Sequence, residues 1–335
     1  MQFLRQYLLP RLVQFVVVVF IGATVVFTIP RLTPNDPVER QLQLIAIRGQ
    51  YMDSATIGQV KQTLRELYGL EGSFLQQYGI FWKRLFRGDF GPSFSQFPTP
   101  VTRLIQNSMP WTVGLLLVST VLSWGIGSLL GGIGGSFHRA RWARVMEIFS
   151  MTLRPIPYYI MALALVILFV HLIPVFPLLG GYSGSSKIRF SVRFLVDLFR
   201  HAFLPALSLV LVGFGTWFLQ MRSVTSNIVA EDYVTYAEAQ GVPKAKIVLQ
   251  YVTRNAILPQ VTGLALSLGF IFGGALITEQ VYSYPGIGTL LYNAVISADY
   301  NVIMGVTVYS IVSIAVAVLA IDLVYPLFDP RVRHR

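Results

Sequence analysis

Six stretches of this chain are apolar over a length that can cross a bilayer, and this property limits its fold more than any other. The hydrocarbon core is about 30 Å thick. An α-helix rises about 1.5 Å per residue, so about 20 residues cross it. The stretches are approximately residues 12–29, 110–133, 148–172, 202–221, 256–278 and 300–321. They predict an all-α polytopic membrane protein with six transmembrane helices.

The composition agrees with a place in lipid. Of 335 residues, 54% are hydrophobic and 12% are charged. The mean hydropathy is +0.61, so the chain carries more apolar surface than the core of a water-soluble protein of this size could bury. A net charge of +11 would suggest nucleic acid, but the Lys and Arg residues form small clusters between apolar runs. The sequence therefore predicts membrane lipid, and no nucleic acid, as a partner.

Metal and disulfide chemistry have no support in the sequence. The chain contains no Cys, which excludes disulfides and thiolate metal ligands. Its four His residues are scattered, without a ligand spacing such as HxxxH. We expect no catalytic residue, no metal site and no cofactor in this chain.

The first apolar stretch has two interpretations. It could be a cleaved signal peptide, but no small-x-small cleavage site precedes Arg31, and the stretch is long for the apolar region of such a signal. An uncleaved span is favoured. Six spans would then place both termini on the same side of the membrane.

Lys and Arg in the short connections between spans indicate the orientation, because cytoplasmic connections carry the excess of these residues. One side holds Arg5, Arg11, Arg139, Arg141, Arg144, Arg222, Lys244, Lys246, Arg254, Arg331, Arg333 and Arg335. The other side holds Lys187, Arg189, Arg193 and Arg200. We expect the first side, with both termini, in the cytoplasm.

The predicted spans divide the chain into four segments. Residues 1–30 contain the cytoplasmic N-terminus and the first transmembrane helix, and residues 31–108 form a long extracytoplasmic loop. Residues 109–325 form a core of five transmembrane helices, which includes a cytoplasmic polar segment at 231–259. Residues 326–335 form a cytoplasmic tail.

Two amphipathic helices are predicted in the extracytoplasmic loop. Ser54 can cap the first, which stops at Gly69, and Ser73 can cap the second, which ends at Gly88. Their apolar faces either pack on the helix bundle, lie in the outer headgroup layer, or form a surface for a partner. The sequence favours the first two alternatives.

Glycines separated by three residues occur in two spans. Gly127, Gly131 and Gly135 lie in the second span, and Gly269 and Gly273 lie in the fifth. This spacing lets helix backbones approach closely. The motif is common in apolar segments, so it predicts close packing of the bundle and carries no functional meaning.

The segment at residues 231–259, EDYVTYAEAQGVPKAKIVLQYVTRNAILP, interrupts the apolar sequence, and we call it the polar hairpin. Its six charged side chains would cost roughly 15–20 kcal/mol at the membrane centre, at about 2.5–3.5 kcal/mol each, so the segment belongs in the cytoplasm. Gly241 suits the left-handed end of one helix, and Pro243 suits the start of the next. The pattern predicts two short helices joined by a turn.

The first helix of the polar hairpin is predicted to expose Tyr233, Tyr236 and Ala237. Such a small and aromatic surface suits a groove on another protein. The alternative is an ordinary intracellular loop that lies on the lipid headgroups. The residues alone leave both interpretations open.

Motifs along the whole chain resemble one family. The spacing from Tyr236 and Ala237 through Gly241 to Leu258 and Pro259 resembles the EAA loop of ABC importer permeases. DYVTYAEAQG, followed by RNAILP and TEQVYSYPGIG, is similar to permeases of the OppB/DppB type, the peptide/nickel class. RLTPNDP, LRELYGL, RLFRGDFGPS and DLVYPLFDPRVR match this class in order.

The resemblance implies a transmembrane permease subunit of an ATP-driven importer in a bacterial or archaeal cytoplasmic membrane. Its implied partners are a second, homologous permease, two P-loop ATPase subunits that hold ATP and magnesium, and an extracytoplasmic substrate-binding protein. The chain itself has no GxxxxGK[ST] phosphate loop, and therefore no ATPase site of this kind. The class transports peptides, oligosaccharides or nickel chelates, and we expect di- or oligopeptides here.

The resemblance also implies roles for two sets of residues. Coupling to the ATPase subunits is assigned to Asp232, Tyr236, Ala237, Gly241 and Pro259. A position near the outer gate is assigned to Glu279, Tyr282, Pro285 and Gly286. The alternative for this outer stretch is a structural re-entrant turn, followed by a short amphipathic helix.

Arg154 lies inside the predicted third span, beside Pro155 and Pro157. A charge at this position is costly and usually faces a cavity or a partner. Arg154 could reach the cytoplasmic interface or pair with an acid such as Asp322, which is the favoured alternative. It could instead line the translocation pathway and contact an anionic group of the cargo.

Two other classes of membrane protein remain as alternatives. A multispan membrane enzyme needs a nucleophile with a base, paired carboxylates or His metal ligands inside the bundle, and the spans hold no such set. A proton-coupled secondary transporter needs internal acidic relays, and the spans contain almost no acids. Both classes are therefore disfavoured.

Overall fold

The computed structural model describes residues 8–32, 38–39, 42, 54–183 and 191–328, and this part of the chain is helical without a β-strand. The all-α prediction is confirmed. The helices are α1 (Leu9–Leu32), α2 (Ser54–Tyr68), α3 (Phe74–Phe86), α4 (Val101–Ser136), α5 (Arg141–Leu153), α6 (Tyr158–Leu172), α7 (Val192–Val229), α8 (Asp232–Ala239), α9 (Lys244–Gly273), α10 (Leu276–Val281), α11 (Ile287–Ile296) and α12 (Tyr300–Phe328).

Within the described residues, five helices are long and apolar enough to cross a membrane, namely α1, α4, α7, α9 and most of α12. They contain the predicted first, second, fourth, fifth and sixth spans, although α9 already ends at Gly273. At 38 residues, α7 is far longer than its predicted span. Parts of RLTPNDP and DLVYPLFDPRVR, together with Lys187 and Arg189, lie outside the described residues. The orientation of the termini stays a prediction.

The prediction of one continuous helix over residues 148–172 is wrong. This region contains two helices, α5 and α6, which are long and apolar enough for one span only when taken together, and the chain bends by 98° between them. Pro155 and Pro157 lie in this break. A proline has no N–H to donate to the preceding turn, and its ring clashes with that turn, so two prolines this close together favour a break in the helix. Arg154 therefore lies at a sharp corner.

The helices form two compact units, divided after Trp111 and after Tyr284. One unit contains α1, α2, α3, the start of α4, α11 and α12. The other contains the rest of α4 and α5 to α10. This grouping reflects packing, and the predicted division of the chain by membrane side stays a prediction.

In the first unit, the aromatic face of α3 packs on α1. Phe20 stacks on Trp82 with ring centroids 5.5 Å apart, and Phe27 meets Tyr78 edge to face at 5.2 Å. The hydroxyl oxygens of Thr24 and Tyr78 are 2.7 Å apart and share a hydrogen bond. Of the alternatives for the outer amphipathic faces, packing on the bundle is confirmed for α3.

The start of α3 and the ends of α2 and α3 follow the predicted local signals, whereas the expected cap at Ser54 stays a prediction. Ser73 caps α3, because its Oγ accepts from the Gln76 N–H at 3.5 Å while Gln76 Oε1 accepts from the Ser73 N–H at 2.8 Å. Gly69 and Gly88 adopt φ values of +64° and +68° after α2 and α3. Only glycine enters this left-handed region without a steric cost.

Asp299, a buried carboxylate of the first unit, was not anticipated from the sequence. It is fully buried where α12 begins. Its Oδ2 accepts from Ser93 Oγ at 2.5 Å and from the Ser95 N–H at 2.9 Å, and its Oδ1 accepts from the Val302 N–H at 3.2 Å. These bonds cap α12 and hold the loop before α4 against it. They also give the buried carboxylate the hydrogen-bond partners that a polar group needs away from water.

In the second unit, α4 and α7 approach each other at the predicted glycines. A Cβ atom at Gly131 would lie 2.5 Å from the Phe218 carbonyl oxygen, and one at Gly127 would lie 3.1 Å from the Phe218 nitrogen. Any larger residue would push the two backbones apart. Close packing is thus confirmed for α4. In α9, Gly269 is buried whereas Gly273 is exposed.

Candidate functional site: the polar hairpin

The polar hairpin contains two helical arms and a tight turn, as predicted. α8 ends in a left-handed turn in which Gly241 has a φ of +75°. The Gly241 N–H donates to the Glu238 carbonyl at 2.9 Å, and the Val242 N–H donates to the Ala237 carbonyl at 3.2 Å. These two bonds satisfy carbonyls that the end of a helix otherwise leaves unpaired. The chain therefore reverses between α8 and α9 within a few residues.

A small apolar core holds the two arms together. It consists of Val234 and Ala237 from α8 and of Ile247 and Val252 from α9, each at most 4% exposed. The last turn of α7 also packs against this core. The helices α7, α8 and α9 therefore share one set of buried contacts, and the hairpin is packed onto both long helices.

The prediction that Ala237 is exposed is wrong. Ala237 is 4% exposed, because it lies one helical turn after Val234 and therefore shares its inward face. A small side chain there lets α8 approach α9. The expected role of Ala237 in coupling stays a prediction, but contact with a partner through its side chain does not fit this burial.

The exposed surface of the polar hairpin carries aromatic and apolar side chains beside its charged ones. Tyr236 and Leu249 are each 66% exposed, and Tyr233 is 42% exposed. Asp232 is also exposed, in the first turn of α8. Tyr233 is fixed in place, because its hydroxyl accepts from Asn255 Nδ2 at 3.0 Å. Exposed aromatic residues on a rigid support are typical of the centre of a protein interface.

The second arm of the polar hairpin is continuous with a membrane span, which the sequence did not indicate. α9 begins with a turn, passes through a π-helical stretch at Ile247–Thr253, and continues as the regular helix Arg254–Phe270. Pro259 lies inside that helix and has no N–H to donate to the Asn255 carbonyl. Two irregularities therefore lie where the hairpin joins the span, and π-helical turns often occur at functional sites.

In the second unit, Glu279 and Tyr282 of the expected outer gate are buried and hydrogen bonded. Glu279 is fully buried and accepts from Thr112 Oγ1 at 2.8 Å. The Tyr282 hydroxyl donates to the Ala162 carbonyl at 3.1 Å, and the Tyr282 carbonyl accepts from the Gly180 N–H at 2.9 Å. These contacts tie α10 to α4, to α6 and to the loop after α6.

The tyrosines of this region remain neutral at ordinary pH. Burial raises the pKa of Tyr282 above its usual value. Burial, and secondly the negative charge of Glu279, raise the pKa of Tyr284 to about 12. Both groups can therefore act as hydrogen-bond donors without ionising.

Pro285 and Gly286 belong to the first unit, unlike the other two residues of the expected gate. Gly286 is the N-cap residue of α11, and its carbonyl accepts from the Leu290 N–H at 3.0 Å. The short helix predicted after this turn is therefore present as α11. The role of the four residues as an outer gate stays a prediction, as does the alternative of a structural turn.

Arg154 is exposed at the corner between α5 and α6. Its favoured partner from the sequence, Asp322, lies in the other unit and forms an ion pair with Arg11 at 3.4 Å. Among the described residues of its own unit, Arg154 has no acid within ion-pair distance. The pairing of Arg154 with Asp322 and its place in a pathway both stay predictions.

Comparisons with known proteins agree with the architecture. Residues 125–334 match the model of the family described as binding-protein-dependent transport system inner membrane component. The chain is 27% identical to the oligopeptide transport system permease protein AppB of Bacillus subtilis, over 94% of this chain and 96% of that protein. It is 29% identical to the probable D,D-dipeptide transport system permease protein DdpB of Escherichia coli, over 94% of each chain.

A third relative also matches this chain over almost its whole length. The chain is 28% identical to the glutathione transport system permease protein GsiC of Salmonella choleraesuis, over 98% of this chain and 99% of that protein. The family match covers more than half of the chain and includes the polar hairpin, α9 and α12. With its apolar helices and its interrupting polar hairpin, this chain belongs to the family of inner membrane components of binding-protein-dependent transport systems.

Proposed function

We propose that this chain forms half of the translocation pathway of a peptide importer, and that its polar hairpin is the contact through which ATPase subunits drive it. The chain is a permease subunit of a binding-protein-dependent ABC importer and is not itself the ATPase. The other half of the pathway is a second, homologous permease. The observation that carries the proposal is the exposed aromatic face of a rigid hairpin that continues into two long helices.

The hairpin geometry suits the transmission of force. A partner that holds Tyr236 in a groove would move α8, and the buried contacts of Val234 would pass that movement to α9 and α7. The π-helical stretch Ile247–Thr253 and Pro259 are the points at which α9 can change its direction relative to the span. Asp232 begins α8, and Gly241 forms the turn that ends it.

Energy for transport comes from separate subunits in this proposal. The sequence contains no GxxxxGK[ST] phosphate loop, so ATP and magnesium are held by two partner P-loop ATPases. An extracytoplasmic substrate-binding protein delivers the cargo on the opposite side. The polar hairpin then lies in the cytoplasm, in agreement with its charges and with the distribution of Lys and Arg.

The proposed cargo is a peptide. The relatives are named for oligopeptide, D,D-dipeptide and glutathione transport. All three cargoes are short chains with amide bonds and free carboxylates. Peptides are therefore favoured over the oligosaccharides and nickel chelates that related permeases carry.

Uptake into proteoliposomes tests this function against a secondary transporter. The complex of this chain with its second permease and ATPase subunits is reconstituted with its binding protein, and uptake of a labelled tripeptide is measured. We expect uptake that requires ATP on the ATPase side and that persists when a protonophore collapses the pH gradient. Uptake without ATP that follows the proton gradient would instead support the secondary transporter.

A further inference from the structure

We propose that an open cleft between α5 and α7 binds a carboxylate of the cargo through Arg154. The cleft has a volume of about 750 Å³ and lies beside the segment of α7 that leads to the polar hairpin. The proposal rests on the proposed function, because it treats the cleft as part of the route that a peptide follows. It assigns a binding role to a side chain that the fold leaves without an acidic partner among the described residues of its unit.

The walls of the cleft are fixed by two contacts between α5 and α7. At one end, a Cβ atom on Gly215 would lie 2.9 Å from the Ser150 carbonyl oxygen and 3.3 Å from the Arg154 nitrogen, so the backbones touch. At the other end, Arg222 forms an ion pair with Glu147. The space between the helices is thus a built feature of the second unit, and Arg154 lies at its edge.

The charges that line the cleft do not balance. Its lining contains the guanidinium groups of Arg154 and Arg222 and the carboxylate of Glu147. Glu147 is paired with Arg222, so Arg154 has no acidic partner among the residues that line the cleft. In addition, Arg222 Nε is buried and has no hydrogen-bond partner. The cleft therefore attracts an anion, and the exposed guanidinium of Arg154 offers it N–H donors, since guanidinium groups bind carboxylates particularly well.

The remaining lining fits the rest of a peptide. Ser223, Ser226 and Asn227 supply hydroxyl and amide groups along one wall, and Met151 and Leu219 supply apolar surface. An anion site with neighbouring polar and apolar surfaces matches the carboxyl end of a short peptide, which has an amide and a side chain beside its carboxylate.

Photolabelling tests this site directly. The purified complete complex is incubated, without nucleotide, with the tripeptide Ala-p-benzoylphenylalanine-Ala as the free acid or as the C-terminal amide. After irradiation, labelled residues are mapped by mass spectrometry. We expect the acid to label Met151, which is 56% exposed in the cleft. Labelling by the acid should exceed labelling by the amide about tenfold, because only the acid forms charge-assisted hydrogen bonds.

Two arginine substitutions, one in the cleft and one outside it, serve as test and control. Arg154→Gln should reduce labelling of Met151 by the acid to the level of the amide. Arg144→Gln removes the same charge from an exposed site of α5 that does not line the cleft, and should leave labelling unchanged. Equal labelling by acid and amide, an unchanged result for Arg154→Gln, or labelling confined to other regions would each overturn the proposal.

The same complex separates this inference from the proposed function. Absence of ATP-driven uptake by the unmodified complex contradicts the importer. If uptake by the unmodified complex is normal but Arg154→Gln slows uptake of the acid and the amide to the same extent, the importer stands and the carboxylate site is contradicted.

Discussion

Two side chains of α8 that lie two positions apart have opposite environments, and this difference determines what each can do. Val234 is 1% exposed and packs between the two arms, whereas Tyr236 is 66% exposed on the outer face. A buried side chain contributes to the stability of the hairpin, and an exposed aromatic one is available to a partner. The two roles can therefore be separated by substitution.

We expect Tyr236→Ala to abolish most ATP-driven uptake without a loss of stability. Substitution of a residue this exposed changes the free energy of unfolding by at most about 0.5 kcal/mol. Val234→Ala is the matched control, since it removes two buried carbon atoms at about 0.8 kcal/mol each and should lower stability by about 1.6 kcal/mol. Thermal unfolding and uptake of the purified complexes measure both effects. Normal uptake by Tyr236→Ala would contradict a docking role for this face.

At the scale of elements, the contact between α4 and α7 depends on glycine residues, which have no side chain to separate the two backbones. A Cβ atom at Gly131 would lie 2.5 Å from a backbone oxygen of Phe218, which has no freedom to move aside. In contrast, Gly125 on the same helix has nothing within 4 Å of a Cβ atom. The two positions share their secondary structure and differ in what surrounds them.

Gly131→Ala should therefore destabilise the second unit, and Gly125→Ala should not. Overpacking of a close contact typically costs about 1–3 kcal/mol. An alanine in an open part of a helix instead gains up to about 1 kcal/mol over glycine. Thermal unfolding of the two variants in detergent would measure the difference. A similar fall in unfolding temperature for both would mean that the backbone contact is not what makes Gly131 necessary.

At the scale of the whole molecule, the spans and the polar hairpin could be predicted because they depend on local properties of the chain. Runs of apolar residues, the charges of the hairpin and the turn at Gly241 are all visible in sequence. The bend of the third span also had a local signal in Pro155 and Pro157, and the prediction of a single helix did not use it. The burial of Ala237 had a signal too, in its spacing from Val234.

Other features had no local signal. Glu279 is hydrogen bonded to a residue 167 positions away, and Asp299 to one 206 positions away. A carboxylate near the end of an apolar run can face water or lie in the interior, and only the packing of distant segments decides between these outcomes. The cleft at Arg154 depends in the same way on two helices far apart in sequence.

Crosslinking from position 236 tests the central claim most directly. Tyr236 is replaced by p-benzoylphenylalanine in the complete complex, which is irradiated in each nucleotide state, and the products are identified by mass spectrometry. We predict crosslinks from position 236 to the ATPase subunits. Leu75 of α3, which is 77% exposed, is the control position and should give no crosslink to them. If position 236 gives no ATPase crosslink in any state, or no more than position 75, the polar hairpin does not couple this permease to its ATPases.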